Sequence, residues 1–386
     1  MRQRKIALLV LFSLVFFVPM ALRFTLTQED YKKLEQRENR TFEEMPNLSF
    51  DINVINFFGN KFSAYFNDHF YGRQQVQSGY MNFIFSVFGH SGKYRRVVMS
   101  KSGWIFYNEG RDLFRWSGLL PVDTTKCNVF VENTKRKADW LKSRGIKYYM
   151  VTPPDKGMVY PEKLPNPFNS MVDGNSKSEL KYVLGKLKDY PNLVLIDLYQ
   201  TMIDAKKKAE SIYLSGDTHW SRMGAFYAYQ VIIDGIREDF PEVKVPFELT
   251  DVKVTNRYAP GDLNKMSGMF DGDFKQFYYD IALPKSVQEP SDVKIQHLEK
   301  TPLLFPSEMF ESDYANNNLK ILIVHDSYSE TFKKWISCHF KKSYYVWTTN
   351  FPNSEIDEYQ PDIFMEEVVE RSVSLLINNK KPPRLR

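Results

Sequence analysis

Apolar positions along this chain fall into distinct patterns, and each predicts an element. The first is an uncharged run from Ile6 to Leu22, preceded by Arg2, Arg4 and Lys5. It has about the minimum length for a bilayer-spanning helix. Basic residues ahead of it set the N-terminus in the cytoplasm and the remainder outside. A cleaved signal peptide is the rival: no clear small-x-small site follows, although Met20-Ala21 comes near one. Either way the body of the protein is expected to be exported. Thr25 to about Asn53 is polar without a clear period and reads as a linker. Phe57 to Phe88 has helical spacing, with Phe62, Phe66 and Phe70 forming an i, i+4 stripe. This segment, His69 included, is expected to pack on the main core. Gly89 to Gly92 reads as a turn.

From there short apolar runs alternate with helical periods. Val97-Val98-Met99 and Trp104-Ile105-Phe106-Tyr107 flank Lys101-Ser102-Gly103, a hairpin signal. Thr124 to Arg144 reads as a helix capped by Asp123 or Thr124 and ended by Gly145. Ile146 to Val151 reads as a strand stopped by Pro153-Pro154, which leaves Asp155 and Lys156 at a strand's carboxyl edge. Ser176 to Lys188 is helical, Asn192 to Leu198 reads as a buried strand, and Thr201 to Glu210 as a charged helix. Ser221 caps a helix running to about Glu238. Leu319 to Val324 is a continuous apolar run, the pattern of a strand buried on both faces. A helix to about Phe340 is expected after it. Tyr344 to Trp347 reads as a strand, and Pro361 to Arg371 fits strand or helix.

Lys244 to Asn316 breaks the alternation. Its Pro, Gly and aromatic residues (Tyr258, Phe270, Phe274, Phe277, Tyr278, Tyr279) predict an irregular or β-rich insertion beside the site, its aromatics expected to form a small subdomain core, with stacking on sugar rings as the alternative. The rest, alternating strands and helices, predicts an α/β fold: a mostly parallel sheet with helices on both faces. The resulting division is an anchor or signal segment over 1–23, a linker over 24–55, one domain over 56–379 with its insertion at about 244–316, and a basic tail over 380–386.

Two polar segments interrupt this pattern where chemistry is expected. In Gly216-Asp217-Thr218-His219-Trp220-Ser221 the Asp and His stand two apart. In an extended segment such side chains share a face, so a carboxylate can orient the imidazole. In His325-Asp326-Ser327-Tyr328-Ser329 a serine follows a buried strand directly. Serine needs an adjacent base to act as a nucleophile, and free N–H groups at a strand-to-helix turn suit an oxyanion. We therefore expect Asp217, His219 and Ser327 to converge. His325 is the rival base, but it lacks an orienting carboxylate of its own. Lys156 reads as a loop lysine or as a contact to a substrate or product oxyanion.

Composition adds limits. The 386 residues are 43% hydrophobic and 15% aromatic, enough for one large core. Net charge is +5 and well mixed, which does not call for nucleic acid. The two cysteines, Cys127 and Cys338, make no disulfide framework and are open to one bridge or to two buried thiols. No Cys/His grouping has zinc spacing, so neither a metal nor a cofactor is expected.

Taken together, several segments resemble the AlgJ/AlgX-like group of alginate O-acetyltransferases with an SGNH-hydrolase-like domain, and its DHHW-family relatives. They are Asp217-Thr218-His219-Trp220-Ser221, Asp326-Ser327-Tyr328-Ser329, Glu38-Asn39-Arg40, Phe66-Asn67-Asp68-His69-Phe70, Gly103 to Tyr107, and Pro153-Pro154-Asp155-Lys156 through Tyr160-Pro161. The resemblance implies a three-layer SGNH sandwich and a triad of Asp217, His219 and Ser327. Backbone N–H groups, with Tyr328 or Lys156, would assist at the oxyanion, and the last strand would end at Glu370-Arg371. It further implies transfer of an acetyl group to an exported polysaccharide. The donor would come from a multi-spanning acyltransferase of the MBOAT type, with the domain held outside the cytoplasmic membrane. His325-Asp326 departs from the small residues expected before the serine. That leaves open a second local base, and a non-catalytic glycan or assembly scaffold. A carbohydrate esterase also stays open, because the chemistry before deacylation is the same whether water or a sugar hydroxyl accepts the acyl group.

Overall fold

In the computed structural model, residues 2–38, 41–47, 52–88, 96–172, 178–209, 211–259, 261–267, 276–294 and 305–378 are described. Among them are eleven strands: β1 (Val97–Met99), β2 (Ile105–Tyr107), β3 (Lys147–Thr152), β4 (Val194–Asp197), β5 (Lys253–Ala259), β6 (Gln276–Ala282), β7 (Ser291–Asp292), β8 (Glu308–Glu311), β9 (Lys320–Val324), β10 (Lys342–Val346) and β11 (Ile363–Glu367). Seven form the central sheet in the order β4-β3-β11-β9-β10-β8-β7. The first five are mutually parallel, and β8 and β7 add an antiparallel edge.

Successive residues of a strand face opposite ways, and here both sets are apolar. Tyr149, Val151, Ile321, Ile323, Tyr345, Ile363 and Met365 join one core, filled from above by the helices Tyr199–Lys208, Arg222–Arg237 and Lys333–Ser337. Tyr148, Met150, Leu322, Val324, Tyr344, Val346 and Phe364 join the other, against the helices Thr124–Lys142, Glu179–Leu187, Asn353–Tyr359 and Glu370–Asn378. The molecule is thus a three-layer α/β sandwich on a mixed sheet. Cys127 and Cys338 are free, buried and on opposite sides of that sheet, so no bridge joins them. Burial pushes the two thiols up to about 11 and about 12.

Several elements differ from their sequence patterns. The linker contains a helix, Gln28–Glu38, started by a capping box. Thr27 N–H and Oγ1 donate to Asp30, whose own N–H donates to Thr27 Oγ1. The aromatic segment forms two helices, Ile52–His69 and Arg73–Phe88, whose described residues join neither core; Phe62, Val76, Tyr80 and Val87 are exposed. His69 does lie within the helix, its ring against Tyr31 and Tyr65. The Gly89 to Gly92 turn lies outside the described residues. β4 is an edge strand and only half-buried, since nothing pairs beyond it. The stretch after Ser327 is a 3-10 turn, Ser329–Thr331, and a short helix, Lys333–Ser337. β11 ends at Glu367, not at Glu370-Arg371, because the Asp326 side chain takes the N–H of Val369 and a helix begins at Glu370.

The insertion is β-rich. β5 and β6 form a two-stranded ribbon, a short helix Asp262–Met266 leads off it, and β7 and β8 extend the main sheet. Among the described residues its aromatics form no separate core: Tyr258 is exposed and Tyr279 packs on the main core, while Phe270 and Phe274 lie outside the described residues. At the N-terminus the helix Arg2–Leu22 carries exposed apolar side chains. The stretch Arg4–Thr25 is long and apolar enough to cross a membrane.

Candidate active site

In an open α/β sheet, ligands collect at the carboxyl ends of the strands, where neighbouring connections diverge. Here β3 continues outward to β4 while β9 continues the other way to β10. The segments leaving β3, β9 and β11 meet at that divide.

β9 is held on both sides, and its ladder extends one residue further, with His325 N–H donating to Val346 O at 3.2 Å. The chain then turns, and the turn is fixed by Asp326. Its carboxylate accepts from Tyr328 N–H at 2.9 Å and from Val369 N–H at 3.0 Å. Beneath it, the buried Glu367 carboxyl accepts from Asp326 N–H and from Ser329 Oγ. Burial and the Asp326 charge push Glu367 well above the ordinary carboxyl range. Ser327 is left half-exposed at the apex.

The Asp-x-His segment is not extended. Ser211 to Trp220 forms a loop closed by a bridge between Tyr213 and Trp220. Within it Asp217 Oδ1 accepts from His219 N–H at 3.1 Å, an Asx turn that brings carboxylate and ring together without a strand. His219 Nδ1 donates to the same oxygen at 2.7 Å. The opposite ring nitrogen, Nε2, lies 2.7 Å from Ser327 Oγ. The three residues expected to converge therefore form one hydrogen-bonded relay. His219 retains 27% side-chain exposure, so the relay opens to solvent. Burial opposes the Asp217 charge, but the His219 ring and neighbouring N–H groups hold this carboxyl well below its usual range.

Lys156 and Tyr328, expected to help at the oxyanion, have their side-chain polar atoms engaged within the protein. Lys156 Nζ is buried and donates to main-chain carbonyls of Ile105 (2.5 Å), Leu214 (2.9 Å), Ser215 (3.2 Å) and Asp217 (2.7 Å). It ties the Asp-x-His loop to β2 from behind. Burial brings its ammonium down to about 7, against the pull of Asp217 and Asp262. Tyr328 is fully buried. Its hydroxyl donates to Thr218 O at 2.7 Å and accepts from Arg371 Nη1 at 3.2 Å, and its ring packs 5.3 Å from that of His219. His325, the rival base, donates Nδ1–H to Asp326 O at 2.8 Å and lies between Tyr345 and Trp347.

Two residues at the site had no local signal in the sequence. Arg371 donates to Asp155 Oδ1 at 2.7 Å, and Asp155 in turn accepts from Trp116 Nε1 at 3.2 Å, so the floor of the site is a buried ion pair. Asp262 comes from the insertion. Its carboxylate accepts from Thr218 N–H at 2.8 Å and Thr218 Oγ1 at 2.6 Å, and it lies 3.8 Å from His219 Nδ1. Only the Gly261-Asp262 start of a short helix marked it, and nothing in that pattern points to a histidine 43 positions earlier. Asp217, His219 and Asp262 have the donor types of a metal site, with atoms within 4.8 Å of one another. Their carboxylate oxygens, however, already accept hydrogen bonds: those of Asp262 from Thr218, and those of Asp217 from His219 and from Asp262 N–H.

The family model described as SGNH hydrolase-like domain, acetyltransferase AlgX, matches residues 97–308, more than half of the chain. Several solved structures are similar to this chain. Bacillus cereus PatB1 with a sulfonyl adduct aligns at 14% identity and TM-score 0.54, covering 74% of this chain and 97% of PatB1. A DHHW family protein from Eubacterium siraeum aligns at 17% identity and TM-score 0.45, covering 64% and 88%. The O-acetyltransferase domain of Pseudomonas putida AlgJ aligns at 14% identity and TM-score 0.46, covering 74% and 99%. No curated protein matches the sequence. With the sandwich and the strand-end site in place, the match over residues 97–308 shows that this chain belongs to the family of SGNH hydrolase-like domains of the acetyltransferase AlgX.

Proposed function

We propose that this protein is an extracytoplasmic, membrane-anchored O-acetyltransferase that moves an acetyl group through an acyl-serine onto hydroxyls of an exported polysaccharide. The observation that carries this reading is the pair of 2.7 Å contacts linking Ser327 Oγ, His219 and Asp217. His219 Nε2 takes the Ser327 proton as Oγ attacks the donor's acetyl carbonyl. Asp217 holds Nδ1–H and stabilises the imidazolium. Collapse of the tetrahedral intermediate expels the donor's alcohol, which receives the proton from His219. A sugar hydroxyl then attacks the acyl-serine, with His219 again as base, and Ser327 is regenerated. The Tyr328 N–H is engaged by Asp326, whereas the Ser327 N–H has no acceptor among the described residues and is free for the oxyanion.

The apolar N-terminal helix fits an uncleaved anchor that leaves the domain outside the cytoplasmic membrane. Cytoplasmic acetyl donors then require delivery across the bilayer, which suits a multi-spanning acyltransferase of the MBOAT type as partner. The test is transfer from an activated acetyl ester to a polysaccharide by the full chain, with acetylated glycan and free acetate measured separately. Ser327→Ala and His219→Ala should each lower turnover by at least about 1,000-fold. A sulfonyl fluoride should label the wild type on Ser327 only. Variants that turn over like wild type would refute the relay, and free acetate without acetylated glycan would make the protein an esterase.

A further inference from the structure

The insertion reaches the relay through one side chain. Both oxygens of Asp262 accept from Thr218, one from its N–H and one from its hydroxyl. With its proton directed at Asp262, Thr218 Oγ1 turns a lone pair toward His219 Nδ1, 3.1 Å away. In the reverse direction, Asp262 N–H donates to Asp217 Oδ2 at 3.0 Å. The imidazole is thus held by Asp217 Oδ1 at 2.7 Å and by Thr218 Oγ1, with a second carboxylate at 3.8 Å.

Given the relay as the acyl-transfer site, we infer that Asp262 is a positioning residue: it fixes the rotamer of Thr218 and the second oxygen of Asp217, and adds a second negative charge behind the imidazolium that forms during acyl transfer. Among the described residues, the other charged or titratable groups facing this cluster are Lys156, whose ammonium acts on both carboxylates, Tyr278, whose phenol feels both, and Tyr328, whose ring packs on His219 and whose hydroxyl donates to Thr218 O and accepts from Arg371. Tyr278 is engaged by Gln276 Nε2 at 2.7 Å, and Lys156 by the carbonyls described above, so neither replaces Asp262 at Thr218. Asp262 also belongs to the β-rich insertion, which gives that segment a role in the relay.

The readouts are the pH profile of kcat/KM and the NMR titration of the His219 ring in the full chain. Asp262→Asn keeps the shape of the side chain and removes the charge. Loss of a negative charge about 4 Å away favours the neutral ring, so both the acidic limb and the ring's titration midpoint should move to lower pH by about one unit. kcat should fall about ten-fold with KM within about two-fold, and Asp262→Glu should recover part of the loss. Thr218→Val, which removes the hydroxyl without touching Asp262, should lower kcat in the same direction and covers the case in which Asp262→Asn does not fold. An unmoved titration midpoint in a folded Asp262→Asn, or a Thr218→Val enzyme with wild-type kcat, overturns the inference. The NMR midpoint does not depend on turnover. A shifted midpoint in a chain that lacks Ser327-dependent activity would refute the acyl-transfer reading while leaving the Asp262 contact established.

Discussion

At the scale of single residues, the candidate site is held by buried polar groups whose partners are other parts of the chain. Lys156 is the strongest case. Replacing it with Met leaves the carbonyls of Ile105, Leu214, Ser215 and Asp217 without this donor. Unmet buried carbonyls make Lys156→Met destabilising by about 3 kcal/mol, measurable by denaturant unfolding near pH 9. The pH dependence has a definite sign. Burial brings Lys156 down to about 7 in the folded chain, below an ordinary lysine at 10.5. A depressed lysine means that the unfolded chain binds the proton more readily. Its contribution is therefore complete above pH 10.5 and lost as pH falls through 7. Between pH 10 and 7 the wild type should lose stability on acidification, and Lys156→Met should lose less over the same range.

At the scale of elements, the loop carrying Asp217 and His219 is set by its neighbours. Ser221 begins the helix Arg222–Arg237 by accepting from Gly224 N–H, while its own N–H donates to Ile212 O at 2.8 Å. The helix start is pressed so close to the loop that a Cβ on Gly224 would meet Ile212 O at 2.2 Å. That contact is with main chain, so it is relieved only by moving the loop or the helix. Gly224→Ala should cost about 2 kcal/mol and lower kcat by more than its effect on folded population, because the shift is passed directly to Asp217 and His219. A thermal-unfolding scan and a turnover assay on the same preparation separate the two effects. A variant with wild-type stability and rate would contradict the packing.

At the scale of the whole molecule, the sheet separates the two largest apolar cores among the described residues, one on each face. Cys127 lies in one and Cys338 in the other, each fully buried and each with its thiol held above the ordinary range. Both should resist a thiol reagent in the native chain at pH 8. They should become reactive together, at the denaturant concentration where fluorescence reports global unfolding. One cysteine reacting well before the other would show that a face of the sandwich opens independently.

The fold was legible because its signals are local. The unbroken apolar run of β9, the helix over Thr124–Lys142 with Asp123 as its cap, and the Gly103 turn between β1 and β2 each depend on neighbours in sequence. The helix Gln28–Glu38 was legible too, had Thr27 and Asp30 been read as a capping box. That Asp217, His219 and Ser327 would be brought together was also expected from residue type and position. What only the tertiary structure decided is where long or buried side chains direct their polar atoms. Lys156 directs its Nζ at main-chain carbonyls because burial demands acceptors for its ammonium, and the Asp-x-His loop supplies them. Tyr328 lies beneath the imidazole because its hydroxyl is caught between Thr218 and Arg371. Asp262 reaches His219 because the insertion folds back over the strand ends, a contact between segments whose separation along the chain carries no periodic signal. Patterning along a chain reports which face a residue takes; hydrogen-bond partners between distant segments are set by packing once the layers close.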